Sequence, residues 1–433
     1  MKNQSTCLPG LLLAGACLLS SCSNSNPVTP GTSNAKHEFL RSSLSRETQP
    51  SVPTANLETL VAGNHEFATD IYAQLKTDDA NFMFSPLSIR MAFALLQGGA
   101  RGATEAEIGA TMHYSLSGDD LHSAFNALDL ALTARNVPKD AEHDPVELSV
   151  ANSFWGQNDF LWKQEYLDLI AENYGAGIET LDFQNAPESA RTVINDWVET
   201  RTRERIKNLL PEGSIDPSTV AVLVNALYFK APWALQFNPQ ATVDASFNLL
   251  NDSLVQTAFM NQTESFNYSE GAGYQALELP FHTNTLSMVF VLPDAGTFKQ
   301  FENNLSTHQL DQIIKGLENS HGTVSIPKFK FEAGFGLKNA LTTLGMTTTF
   351  DTPDLSGMVD NQRLYIEDVF HKTFIAINEE GAEAAASTAI IVGVTSTPSE
   401  SFSFTADRPF VFLIRDRITG AILFFGRLTN PIL

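Results

Sequence analysis

Cysteine is almost missing. The 433 residues hold three, Cys7, Cys17 and Cys22, and none follows residue 22. The rest of the chain therefore has no disulfide framework, no thiolate nucleophile and no cysteine zinc site. Positive charge is scarce as well, with 27 Lys plus Arg against 49 Asp plus Glu and a formal net charge of −22. Such a balance excludes a nucleic-acid binder, which needs cations to neutralise phosphate, and general attraction to anionic lipid. No apolar run reaches the roughly 18–20 residues that span a bilayer. Local catalytic signatures are lacking: no G-x-S-x-G elbow, no Walker loop, no dinucleotide G-x-G-x-x-G and no H-E-x-x-H. The nine histidines are scattered without metal-ligand spacing, and acidic pairs such as Glu105/Glu107 suit the first turn of a helix. These residues predict no metal, no cofactor and no enzymatic site.

What is present is a chain able to bury a large core. Hydrophobic residues make up 43% and charged ones 18%, the balance of a globular protein, and the length suits one large domain or two to three average ones.

The first residues read as an address. Lys2 supplies a short positive region and Leu8 to Leu19 an apolar stretch, the length of a signal-peptide core and too short to span. Leu19-Ser20-Ser21-Cys22 resembles the lipobox of bacterial lipoproteins, in which the cysteine takes the lipid. Leu13-Ala14-Gly15-Ala16-Cys17 is a weaker competitor, and an ordinary signal peptide is the plainer alternative. On the lipoprotein reading, residues 1–21 are removed and Cys22 is acylated. The Ser-, Asn-, Pro- and Thr-rich stretch 22–56 is then a flexible tether with a reach of roughly 30 Å. A monomeric domain, 57–433, is expected to be exported and held at the surface or periplasmic side of a bacterial membrane through its lipid alone.

From Leu57 onward the pattern is globular and uninterrupted. Asn64 to Thr77 reads as an amphipathic helix with Phe67, Ile71 and Leu75 near one face. Ser85 caps the next helix, with Pro86 in its first turn and Gly98-Gly99 at its end. Helices over 119–134 and 188–207 follow. Later the runs turn strand-like. Residues 220–229, 286–292 and 410–414 are continuously apolar, as strands covered on both faces are, and 324–331 alternates around Pro327 like an edge or bulged strand. Helices early and strands late predict an α+β fold.

One segment fits neither habit. The alanines after Gly381 favour a helix, yet β-branched residues follow at once and no apolar stripe would anchor one. With period two, Ala382, Ala384, Ala386, Thr388, Ile390 and Val392 share one face, while Glu383, Ala385, Ser387 and Ala389 share a second, solvent-facing one. No proline lies between Gly381 and Thr397, so no ladder donor is lost. These residues describe either a plain Ala/Ser surface loop or an exposed loop able to become a strand of an existing sheet.

The segment and six further blocks resemble the serpin family. Glu379-Glu380-Gly381-Ala382-Glu383-Ala384-Ala385-Ala386-Ser387-Thr388 is similar to its hinge, E-E-G-T-E-A-A-A-A-T. Asn81 to Ile89 matches N-x-x-x-S-P-x-S-I, Leu95 to Thr104 resembles L-x-L-G-A-x-G-x-T, and Ile194 to Glu199 with Ile206 matches I-N-x-W-V-E…I. Leu223 to Trp233 matches L-V-N-A-x-Y-F-K-x-x-W, Asp407 to Phe410 resembles A-D-H-P-F with Arg408 for the usual His, and Gly426 to Pro431 matches G-R-x-x-N-P. The blocks run in order over essentially the whole of 57–433.

The resemblance implies a single α+β domain of about nine helices and three β-sheets, with a reactive loop exposed above the large sheet A. It also implies a suicide-substrate inhibitor in place of an enzyme. A protease attacks the loop and forms an acyl-enzyme, and the freed loop enters sheet A before hydrolysis finishes, an established case of strand addition and strain release. Ser85, Ser88, Asn225 and His371 match the family's shutter and Trp233 its breach; satisfied core polars and a packed indole are the plain alternatives. Counting seventeen residues from Glu379 puts the attacked bond at Thr395–Ser396, with Val394 or Ser396 one residue either side. No Lys or Arg lies between Lys372 and Arg408. Elastase-like or subtilisin-like serine proteases, whose shallow pockets take small residues, are therefore the expected targets, together with a papain-like cysteine protease reading Val394. A non-inhibitory serpin acting as a binding module is the alternative.

Overall fold

A computed structural model of the chain describes residues 37–140, 143–360, 363–383 and 401–432. In chain order these form β1 (Glu38–Leu40), α1 (Thr54–Leu75), β2 (Phe82–Phe84), α2 (Pro86–Gly99), α3 (Gly102–Thr111) and α4 (Gly118–Thr133). Next come β3 (Glu147–Gln157), α5 (Gln164–Tyr174), β4 (Ile178–Leu181), α6 (Pro187–Arg201) and β5 (Ala221–Pro232). The middle supplies β6 (Val243–Asn248), β7 (Leu254–Gly271), β8 (Tyr274–Pro280), β9 (Leu286–Pro293), α7 (Phe298–Asn304) and α8 (Thr307–Lys315). Then follow β10 (Glu318–Pro327), β11 (Phe329–Gly336), α9 (Lys338–Thr343), α10 (Thr348–Asp351) and β12 (Val369–Ile377). The chain closes with β13 (Gly381–Ala382), β14 (Phe402–Thr405), β15 (Phe410–Asp416) and β16 (Ile422–Leu428).

Among the described residues the strands make two hydrogen-bonded sheets. One has seven strands in the order β1-β4-β3-β5-β13-β12-β11, the other nine in the order β14-β10-β7-β8-β9-β15-β16-β2 with β6 on β7. The α+β class is as expected, and ten α-helices among the described residues are close to the expected nine. The expected second and third sheets are joined because the 18-residue β7 belongs to both: its start pairs β6, its end pairs β8, and β10 runs beside most of it.

Strand β5 shows why its sequence is so apolar. Leu223, Leu227, Phe229 and Ala231 face the main core, while Val222, Val224 and Ala226 face a second cluster with Ile194 and Val198 of α6. Burial on alternate sides by two layers keeps the strand apolar apart from Asn225, which is itself fully enclosed, and Lys230 near the strand's end, which is half-buried and paired with Asp144. Among the described residues no helix is long and apolar enough to cross a membrane.

Four expectations about boundaries change. Residues 37–53 are not tether: β1 pairs with β4, the Ser42 hydroxyl donates to Asp168 at 2.5 Å, and Arg46 Nε donates to Asn126 Oδ1 at 2.8 Å while its Nη2 pairs with Asp129 at 2.7 Å. These attachments are polar or main-chain, so hydrophobic periodicity carries no trace of them. Helix α1 begins at Thr54 and not near Asn64, since its first turns are largely exposed and need no apolar stripe. Helix α6 stops at Arg201, short of residue 207. The Thr202 hydroxyl donates to Val198 O and accepts from the Ile206 amide, a local alternative to helical bonding, and Arg203 and Glu204 turn left-handed. Residues 324–331 are two strands, not one. Pro327 has no amide to continue the ladder, the Lys328 amide donates to Ala258 O, and the chain passes from the nine-stranded sheet into the seven-stranded one.

Candidate functional site

The seven-stranded sheet has a slot between β5 and β12. At one end the two strands pair directly in parallel, Leu223 with Val369 through Ala226 with Lys372. At the other end β13 lies between them, antiparallel to both, with Gly381 opposite Pro232 and Ala382 opposite Ala231 and Ile377. Residues 227–230 and 373–376 between these two zones share no ladder among the described residues. Their outer edges are occupied, β5 by β3 and β12 by β11. A cavity of about 410 Å³ opens there, with Tyr228, Lys230, Phe374, Ala376, Glu383 and Arg205 in its wall.

The segment entering the slot is clamped residue by residue. Asn378 Oδ1 accepts from the amides of Glu380 and Gly381 at 3.0 and 3.1 Å, an Asx turn that points the chain back into the sheet. Trp233, 1% exposed and stacked on Phe281 with ring centroids 4.6 Å apart, donates its indole N–H to Asn378 O at 3.0 Å and its amide to Glu380 O at 2.8 Å. The Glu379 carboxylate pairs with Lys328 at 2.8 Å and accepts from Thr242 at 2.8 Å. Burial pushes its pKa up, but Lys328, the backbone and Thr242 outweigh that and hold it below the ordinary value. Gly381 is required by contact: a Cβ there would lie 2.1 Å from Ala231 O. Ala382, 2% exposed, joins the core face.

Glu383 ends the pairing. Its amide still donates to Ala376 O at 2.8 Å, but its φ is +53°, a left-handed conformation that a non-glycine residue holds at a cost. Its side chain, expected to face solvent, is only 9% exposed and is held by Arg205. Burial raises its pKa, and Arg205 only partly offsets this.

At the far end of the slot a polar cluster joins three strands and a helix. Asn152 of β3, Asn225 of β5 and His371 of β12 stand side by side in register. Beneath them, Ser85 caps α2 and accepts from the Ser88 amide at 3.1 Å. The Ser85 amide donates to His371 Nε2 at 3.0 Å, which puts the imidazole proton on Nδ1, 2.6 Å from Asn225 Oδ1. Asn225 Nδ2 donates to the Ser88 hydroxyl and to Asn152 Oδ1. All four expected residues, Ser85, Ser88, Asn225 and His371, are therefore in one network, and burial lowers the His371 pKa to about 3. The imidazole is neutral.

Glu379 to Glu383 are thus brought together with Trp233 at one end of the slot, and Ser85, Ser88, Asn225 and His371 at the other. The beginning of the loop is not above the sheet, as expected, but inside it, because Gly381 and Ala382 find free main-chain partners on both sides. Ala384, Ala385, Ala386, Val394, Thr395, Ser396 and Cys22 lie outside the described residues. Sequence reasoning missed Asn152, Arg205, Thr242 and Lys328, all partners from distant segments. It also missed Asn378, whose turn was readable as Asn followed by Gly three residues on. Arg408, in the place of a usual histidine, donates Nε to Pro293 O at 2.9 Å and pairs with Asp407.

A family model described as Serpin (serine protease inhibitor) matches residues 62–431. The chain is 36% identical to a serpin-like protein of Thermococcus kodakarensis over 97% of each chain. It is also 36% identical to the leukocyte elastase inhibitor of Homo sapiens, over 87% of this chain and all of that one. In structure it is similar to tengpin, a thermophilic serpin in the native state, with a TM-score of 0.77 and 28% identity over 90% of this chain and 97% of the other.

Proposed function

The chain belongs to the serpin family, whose members target proteases, and from that premise we propose that it is an inhibitory serpin that traps an acyl-enzyme by drawing its cut loop into the slot between β5 and β12. The observation that carries this is the seated β13 with a stretch directly ahead of it, 227–230 and 373–376, that shares no ladder among the described residues. Continuing its register puts Ala384 between Phe229 and Ile375, Ala386 between Leu227 and Thr373, and Thr388 between Asn225 and His371. Small side chains therefore meet the tightest part of the path. Residues 383–386 fill the gap without breaking a ladder; residues 387–390 must displace the four direct β5–β12 pairs and part Asn225 from His371.

Each new ladder bond is worth a net ~0.5–1.5 kcal/mol, so full insertion releases on the order of 10 kcal/mol. About fourteen residues at ~3.3 Å each carry the attached protease roughly 45–50 Å. We assign the attacked bond to Thr395–Ser396, with Val394 one residue before it, and the targets to elastase-like or subtilisin-like serine proteases; the elastase inhibitor among the relatives supports that class. A papain-like cysteine protease reading Val394 is a further target. The lipobox at Cys22 supports an exported molecule anchored by lipid.

Incubation with elastase, with subtilisin and with papain tests this on a denaturing gel. A covalent complex that survives SDS, with its peptide cut after residue 394, 395 or 396 by mass spectrometry, is the expected result. Cleavage by all three without any complex would leave a binding module and end the inhibitory reading.

A further inference from the structure

Beyond the residues that line the slot, Asp140, His143 and His282 form the one group of three metal-ligating side chains among the described residues whose donor atoms all lie within 4.8 Å of one another. We propose that they bind a divalent transition metal of the Zn²⁺ class, with a fourth position left to solvent. Tetrahedral coordination at 2.0–2.1 Å separates donors by about 3.3 Å. Asp140 already spans the two rings, with Oδ1 at 3.5 Å from His143 Nδ1 and Oδ2 at 3.9 Å from His282 Nε2. Small side-chain rotations close the remainder.

The donor chemistry and the local state of the groups agree. Two imidazoles and one carboxylate are a borderline-soft set that suits Zn²⁺ over Mg²⁺ or Ca²⁺, which want oxygen alone. His143 Nδ1 is shielded from water and makes no hydrogen bond among the described residues. The rings are stacked with centroids 3.9 Å apart and planes 17° from parallel, so two imidazolium charges would repel there. The backbone fixes all three: the His143 amide donates to Asp140 Oδ1 at 2.7 Å, the Asp140 amide to His143 O at 3.2 Å, and the His282 amide to Pro232 O at 2.7 Å. Pro232 is the strand partner of Gly381, so the metal would sit beside the clamped hinge.

Calorimetric titration of the full chain with Zn²⁺ is expected to show one site, and Co²⁺ to show the visible d–d absorption of a tetrahedral ion. His143→Asn, His282→Gln and Asp140→Asn should each weaken Zn²⁺ binding by more than the roughly 10–100-fold that loss of an outer-shell partner costs, with metal-free thermal unfolding unchanged for at least two of them. No Zn²⁺ binding by the parent protein, or undiminished affinity in both histidine variants, would overturn the assignment.

Discussion

His371 shows how much one side chain holds at this sheet. It is neutral, enclosed, and joined to a backbone donor on α2 and a side-chain acceptor on β5. With a folded pKa of about 3, below the ~6.5 of an unfolded histidine, it leaves the unfolded chain to take up the proton first as pH falls. Its contribution is complete above pH ~6.5 and is lost progressively toward pH 3. His122, lowered to about 4 by burial against the weaker pull of Asp119, acts in the same direction. The thermal unfolding midpoint at fixed scan rate should therefore fall between pH 6.5 and 4, with a shallower slope in His371→Gln; equal slopes would place the acid sensitivity elsewhere. Gly381 gives a second residue-scale prediction. Gly381→Val sets a side chain against Ala231 O and should expel β13, seen as faster hydrogen exchange at the Trp233 amide, which now donates to Glu380 O. The candidates Ser85, Ser88, Asn225 and His371 were legible because the family's blocks carry them, and the structure joins them in one network. Lys328, Thr242 and Arg205 were not, because an ion pair or hydrogen bond between distant segments leaves no local pattern.

At the scale of elements, β13 is the decisive piece. Its two residues are too few to be seen as a strand by periodicity, and whether they pair depends on the spacing between β5 and β12, which no local pattern encodes. The two-residue alternation beyond Gly381 was nevertheless legible, and Ala382 lies on the face it predicts. On insertion in the proposed register, Ala384→Arg would carry a cation between Phe229 and Ile375, where an unpaired buried charge costs roughly several kcal/mol. The variant is expected to be cut by elastase without forming an SDS-stable complex; a complex in undiminished yield would refute insertion in this register. The apolar runs behind β5, β9 and β15 were equally plain. The change of sheet at Pro327 was half-legible, since a proline marks an interruption but not its destination.

For the whole molecule, the proposed mechanism asks for two arrangements of the same chain: the one described, with β13 seated in the slot, and one with an additional full strand. The α+β class followed from the order of helix-like and strand-like runs, whereas the packing of residues 37–53, read as tether, rests on polar contacts such as Arg46 with Asn126 and Asp129. If the first arrangement is a kinetic trap, nicking the loop should raise the thermal midpoint by on the order of 10 °C or more, measurable by calorimetry before and after limited proteolysis. An unchanged midpoint would mean that no lower state is reachable.

The stretch of β5 and β12 that shares no ladder among the described residues has a consequence for the solution behaviour of the protein. Main-chain ladders do not distinguish a donor in cis from one in trans, so a loop from a neighbouring copy competes for the same vacancy. Warming intact protein should then produce linked chains at a rate that climbs with the square of concentration, followed by light scattering, and a synthetic peptide spanning residues 383–394 should suppress it.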